Sequence, residues 1–308
     1  MKNIETIKTD SLTWINIKRP TPEAMKYLRT KYKFHPLDFE DCLTPSQHAK
    51  LDEYDNYLFM TLLLPIYNRK TKEILSEEVN FFIGNNFLIT SHNNLLPPLM
   101  KIFDLVKYNQ EYKTKMFTND PSILIYEIIN NLLKYCFPML NHIGKDIDEV
   151  RKKIFAGYER RHVRHILDIK RNIVNYRKIM RSHNGIYRKL LTKAEKLFPT
   201  TELKVYFDNL VEQSIDIWNI LDNHKENIDA LQETNESLIS FRLNDIMKIL
   251  TIISVTLLPA SIIANIFGMN ILENLPYIHH PAFFYVVMLS MAVGTTVMFL
   301  WFKKKDWL

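Results

Sequence analysis

Residues 244–270 read NDIMKILTIISVTLLPASIIANIFGMN. From Ile249 to Leu272 no Asp, Glu, Lys or Arg interrupts the chain. The part ending at Phe267 has 19 residues; as a helix rising about 1.5 Å per residue it spans roughly 28 Å. A bilayer core is about 30 Å thick, so this stretch is long enough to cross it. Asn244, Met247, Thr251, Ser254, Leu258, Ser261, Asn265 and Gly268 follow one another at spacings of 3 or 4. Those spacings put them on one face of a helix. Ile249, Ile252, Ile253, Leu257, Ile262 and Ile263 are read as the opposite face.

A second charge-free stretch of 22 residues covers 281–302. A buried pair of soluble helices seldom stays uncharged twice over such lengths, so the pair is read as a transmembrane hairpin. Arg242 and Lys248 precede the first span, and Lys303, Lys304 and Lys305 follow the second. The connection 271–280 contains no Lys or Arg. Positive-inside bias therefore predicts both termini in the cytoplasm, the short loop outside, and a multi-pass protein of the cell (inner) membrane. Trp301, Phe302 and Trp307 suit an aromatic belt at the inner interface. The opening ten residues lack the apolar region of a signal peptide. Two cysteines, Cys42 and Cys136, imply no disulfide framework.

Upstream of the hairpin, no Pro or Gly occurs between Thr200 and Leu258. Leu203, Phe207, Leu210, Ile217, Leu221, Ile228, Leu231 and Leu238 are spaced as a heptad seam, with Ser214, His224 and Asn235 as polar interruptions. One helix of about 65 residues, roughly 100 Å, is expected from near Thr200 to Phe267. Residues 1–118 read as a mixed α/β domain. Strand-like runs lie at 12–17, 57–66 and 79–90, the last punctuated by Gly84-Asn85-Asn86, and helices are expected at 22–32 and 36–42. Pro97-Pro98 marks a break. Residues 119–245 form a helical and stalk region, followed by span 246–270, loop 271–280, span 281–302 and a basic tail 303–308. Within the helical region, 151–193 carries fourteen Lys or Arg against two acids. A solvated helical face is favoured there over nucleic-acid or anionic-lipid binding.

Two helices cannot enclose an aqueous path, so conduction needs several copies around an axis, each offering one polar stripe. The first span has such a stripe, although small polar residues also glue packed membrane helices without any channel. Thr295 and Thr296 of the second span can bond within their own helix. The stripe carries no charge. Mg²⁺ gives up water reluctantly, and neutral hydroxyls and amides can bond its hydration shell without stripping it. Met247, Leu250 and Leu258 are candidate apolar constrictions that close by dewetting.

The helix ends in Phe267-Gly268-Met269-Asn270, followed by a short loop and a final span ending Lys-Lys-Lys-Asp-Trp-Leu. In that setting the chain resembles the CorA family of magnesium and divalent metal ion channels. The resemblance extends over 244–270 and over His35-Pro36-Leu37-Asp38-Phe39-Glu40-Asp41 with Lys50. It implies a homopentamer with a cytosolic α/β domain, long stalk helices and two C-terminal transmembrane helices per subunit. It also implies a selectivity filter of Gly268, Met269 and Asn270, with five Asn270 side chains holding hydrated Mg²⁺. Asn244 would be an inner polar ring, and Ser261 stands where the family often has Thr. Glu40 and Asp41 match half of a cytosolic Mg²⁺-sensing site. The other half departs from the pattern: Asn209 stands where an acid is expected, with Asp208 about 100° away on the helix and Glu212 beyond it. Asn130 and Lys134 likewise replace acids. Mg²⁺ is thus expected as cargo and as regulator.

The outer loop offers Glu273 as a cation attractor. His279 and His280 admit Zn²⁺, Co²⁺ or Ni²⁺, because imidazole suits those ions. The expected function is a passive Mg²⁺ channel into the cytoplasm, gated by internal Mg²⁺. A Zn²⁺ or Co²⁺/Ni²⁺ transporter of the same architecture stands as the alternative, and a non-conducting membrane-tethered structural or signalling oligomer as the alternative of another class. No G-x-x-x-x-G-K-(S/T) loop supports pumping, and no catalytic constellation is visible.

Overall fold

The computed structural model describes residues 3–46, 48–118, 120–157, 159–197, 203–268, 281–305 and 307. The chain divides into two compact units, Met1–Gln232 and Glu233–Leu308.

The first unit contains a six-stranded mixed sheet of order β1-β2-β6-β5-β4-β3. Its strands are β1 (Ile4–Lys8), β2 (Thr13–Lys18), β3 (Lys50–Glu53), β4 (Tyr57–Asn68), β5 (Glu73–Gly84) and β6 (Phe87–His92). The β2–β6 pairing is parallel and the other ladders are antiparallel. The expected run 79–90 becomes the end of β5 and most of β6, divided at the Gly84-Asn85-Asn86 turn. The edge strands β1 and β3 escaped the sequence reading because each is short and rich in charged residues.

Between β2 and β3 lie α1 (Pro22–Lys31) and α2 (Pro36–Leu43). Each begins with Pro in its first turn, where the missing N–H costs nothing. Thr21 Oγ1 caps α1 by accepting from the Ala24 amide at 3.3 Å, and His35 Nδ1 caps α2 by accepting from the Leu37 amide at 3.4 Å. Ala24, Met25 and Leu28 of α1 and Phe39 and Cys42 of α2 pack with Ile15, Ile17, Tyr57, Phe59, Phe82 and Ile89 of the sheet. Pro97-Pro98, read as a break, opens α3 (Pro97–Tyr108), and α4 (Gln110–Met116) follows. Phe103 of α3 meets Trp14 of β2 edge-on, with ring centroids 4.9 Å apart. Then come α5 (Ser122–Phe155), α6 (Glu159–Met180) and α7 (His183–Leu197), and α6 lies against β4 and β5.

The final helices are α8 (Leu203–Phe267), of 65 residues, and α9 (Pro281–Lys304), of 24. Within the first unit the heptad seam is a true packing face. Phe207, Leu210, Ile217, Leu221 and Ile228 are fully buried, and His224 Nε2 donates to the Leu140 carbonyl of α5 at 3.0 Å.

Among the described residues three helices are long and apolar enough to cross a membrane: α5, α8 and α9. Half of the apolar stretch of α5 is buried, whereas the corresponding shares are 11% for α8 and 0% for α9. Burial separates a core helix from the two spans, because only α8 and α9 leave long apolar surfaces for lipid to cover.

Candidate ion path and acid site

In the second unit α8 and α9 form an antiparallel pair whose contact lines follow from helical periodicity. On α8, Ile252 and Thr256 are buried and Ala260 and Ile263 half-buried, at successive spacings of 4, 4 and 3. On α9 the matching line is Phe283, Val287, Met291, Thr295, Met298 and Phe302. Phe267 and Phe283 meet edge-on at 5.5 Å. At 100° per residue, the centre of the line 252-256-260-263 lies about 180° from that of the stripe 244-247-251-254-258-261-265-268. Asn244, Met247, Thr251, Ser254, Leu258, Ser261, Asn265 and Gly268 are all exposed, and Leu250 lies exposed at the stripe's edge. The polar face therefore points away from the hairpin partner.

This geometry bears on one form of the gluing reading, contact within the hairpin. Small polar residues that glued α8 to α9 would lie on the contact line, and of the described polar residues in the span only Thr256 does. The reading of the opposite face needs a correction. Ile252 and Ile263 do pack there, but Ile249, Ile253, Leu257 and Ile262 are exposed, and Ile262 lies beside the polar stripe. Thr251 Oγ1 donates to the Met247 carbonyl at 2.7 Å, which leaves its lone pairs outward. Thr296 bonds within its own helix as expected, to Ala292 O at 2.8 Å. At the helix end the Gly268 amide donates to both Ala264 O (3.0 Å) and Asn265 O (3.2 Å). Met269, Asn270, Glu273, His279 and His280 lie outside the described residues.

The second candidate site is on α2. Glu40 is exposed and Asp41 half-buried. Their helix is fixed on the sheet by Asp38, which is fully buried. Tyr54 donates to Asp38 Oδ1 at 2.9 Å and Tyr57 to Oδ2 at 2.6 Å, while the Tyr57 hydroxyl accepts from the His35 amide at 2.8 Å. Burial raises the Asp38 carboxyl above its ordinary value, and the two tyrosine hydrogen bonds oppose that shift. Lys50 Nζ lies 2.7 Å from Asp41 Oδ2 and 2.7 Å from Asp52 Oδ2. Burial works against the Lys50 charge, but the two carboxylates outweigh it and hold the ammonium above its ordinary value. Asp52, Tyr54 and Tyr57 were missed as site residues. The available signal was three polar or aromatic residues on and just after a short charged strand.

At the stalk position where an acid is expected, Asn209 sits in a neutral amide network. Gln213 Nε2 donates to Asn209 Oδ1 at 2.5 Å and to Asn130 Oδ1 at 3.0 Å, and the Tyr126 hydroxyl donates to Asn209 Oδ1 at 3.4 Å. Asp208 is half-buried beside Asn209. Among the described residues no group of three or more His, Cys, Asp or Glu is placed to hold a metal ion. One Asp41 oxygen, Oδ2, is taken by the Lys50 ammonium.

The basic segment is partly matched by acids of the same unit. Lys170 pairs with Asp229 (2.7 Å), Arg177 with Asp222 (2.9 Å) and Arg171 with Glu73 (3.0 Å), and Lys193 pairs with Glu53. A solvated, ion-paired helical face accounts for these residues.

The sequence matches the model of the CorA-like Mg2+ transporter protein family over residues 9–304. The cobalt/magnesium transport protein CorA of Thermotoga maritima is 27% identical over 301 residues, covering 96% of this chain and 83% of that protein. The protein of the same name from Methanocaldococcus jannaschii is 22% identical over 299 residues, covering 96% and 92%. The complete structure of the CorA magnesium transporter from M. jannaschii superposes with a TM-score of 0.84 at 22% identity, covering 98% of this chain and 94% of that one. That likeness shows the same architecture: a soluble α/β domain, a long helix and C-terminal helices. The chain belongs to the CorA-like Mg2+ transporter family, whose members are membrane transporters of divalent cations rather than enzymes.

Proposed function

We propose that this protein is a homopentameric channel that lets hydrated Mg²⁺ run down its electrochemical gradient into the cytoplasm. The observation that carries the proposal is the neutral polar stripe of α8, turned away from α9 and exposed along the whole span. Five such faces around an axis make a path lined by hydroxyls and amides. Those groups hydrogen-bond the water shell of an ion that sheds water reluctantly. No carboxylate lies on the stripe to hold a bare divalent ion too tightly for release. Met247, Leu250 and Leu258 supply narrow apolar rings that shut by dewetting. Gly268, Met269 and Asn270 form the outer filter, and Glu273 concentrates cations before it. Both termini lie on the cytoplasmic side of the inner membrane. There Glu40 and Asp41 of one subunit, with Asp208 and Asn209 of the next, sense Mg²⁺ and close the path.

Cysteine accessibility tests the stripe. Ser254→Cys and Ser261→Cys are expected to react with a charged, membrane-impermeant thiol reagent and to lose most Mg²⁺ uptake on reaction. Ile253→Cys and Leu257→Cys, on the flanks, are expected to stay unmodified in lipid. Equal labelling of both sets would remove the basis for a pore-lining face.

A further inference from the structure

Lys50 and Asp52 lie two residues apart on the edge strand β3, so both side chains project from the same face of the sheet. α2 supplies Asp41 to the same ammonium, and Lys50 Nζ stands 2.7 Å from each carboxylate. The lysine is held from below as well, since its Nζ lies 5.3 Å from the centroid of the Phe59 ring. Asp38 is locked behind it by two tyrosine hydroxyls. This is a pre-formed site for one cation, and the chain provides that cation itself.

We infer that Lys50 is a built-in cation at the Asp41 carboxylate, which a divalent ion must displace, so this lysine sets the Mg²⁺ concentration at which the cytosolic site fills. The inference rests on the reading of Glu40 and Asp41 as that site. An ammonium in contact with Asp41 and a divalent ion on the same carboxylate repel each other strongly at a few ångströms. Filling the site therefore costs the Lys50–Asp41 contact. The stalk brings one acid, Asp208, since the Asn209 oxygen already accepts from Gln213 and Tyr126. The observed arrangement corresponds to a site set to respond only at high Mg²⁺.

The test uses the full-length protein in lipid nanodiscs, titrated with Mg²⁺, and reads the rate of cleavage by chymotrypsin. Lys50→Met removes the charge and keeps an apolar stem over Phe59. It is expected to lower the half-protecting Mg²⁺ concentration about threefold to fivefold, the upper range for loss of one part-exposed ion pair. Lys50→Gln, a second neutral variant, should shift the same way, and Lys50→Arg should remain near wild type. Asp41→Ala should raise the midpoint. An unchanged midpoint in both neutral variants, with Asp41→Ala still shifted, would overturn the role of Lys50 and leave the acid site standing. No shift in any variant, Asp41→Ala included, would overturn the acid site and the inference with it.

Discussion

Asn270→Ala is expected to reduce Mg²⁺ uptake into proteoliposomes at least a hundredfold, to the level of protein-free vesicles, while the oligomer remains intact. The argument starts from what the amide does. In the proposed filter, this amide follows the stripe in sequence and bonds the water shell of an incoming ion. Each side chain contributes hydrogen bonds to the water shell, individually worth about 0.5–1.5 kcal/mol net. In the proposed pentamer five copies would act on one ion, so the substitution would remove several kcal/mol at once. At about 1.4 kcal/mol per factor of ten, that exceeds two orders of magnitude. Asn270→Gln keeps the amide but lengthens the arm, and an intermediate loss is expected. Near-normal uptake in the alanine variant would mean that the filter is elsewhere.

The second large effect concerns the sheet that carries the acid site. Trp14 is fully buried. Its indole Nε1 donates to Thr90 Oγ1 at 3.1 Å, and Thr90 Oγ1 donates on to Asn16 Oδ1 at 2.8 Å. His92 Nε2 meets the same Asn16 oxygen at 3.0 Å, while its Nδ1 accepts from the Asn94 amide at 3.0 Å. Burial drops the His92 pKa to about 4, so the ring is neutral at physiological pH. Trp14→Ala removes the largest side chain of this network and its edge contact with Phe103. The expected loss is about 3–5 kcal/mol. In a unit of this size that corresponds to a fall in melting temperature of roughly 6–20 °C. Trp14→Phe should recover most of it, because the ring still packs and Thr90 keeps its bond to Asn16. A melting temperature within about 2 °C of wild type in the alanine variant would contradict the placement of Trp14 at the core of the sheet.

The α8–α9 hairpin was legible in the sequence because its signals are local. Two charge-free runs and one 3-and-4 spacing suffice, and the helix Leu203–Phe267 ends at the residue expected for the first span. The packed line Ile252-Thr256-Ala260-Ile263 was less legible. It depends on which residues of α9 lie opposite, and an isoleucine facing lipid reads the same as one facing a helix. The sheet was partly legible. β4 and the second half of β5 are apolar, whereas β3 (KLDE) has one apolar residue, Leu51, among three charged ones and is recruited as an edge by pairing with β4. The Asp38–Tyr54–Tyr57 lock and the Lys50 contact were beyond local reading. They join residues on a helix, an edge strand and a turn, which only the folded sheet brings together.

The central claim is that the exposed neutral face of α8 conducts divalent cations passively. A divalent ion gains about 4.6 kcal/mol per 100 mV of inside-negative potential. The most direct measurement is therefore ion uptake by proteoliposomes holding equal Mg²⁺ on both sides, with the potential imposed by a K⁺ gradient and valinomycin. Zn²⁺, Co²⁺ and Ni²⁺ are run in parallel. The prediction is Mg²⁺ entry that follows the potential, stops when the potential is collapsed, and needs no nucleotide or proton gradient. A verified oligomer that passes no divalent ion under that potential would contradict it.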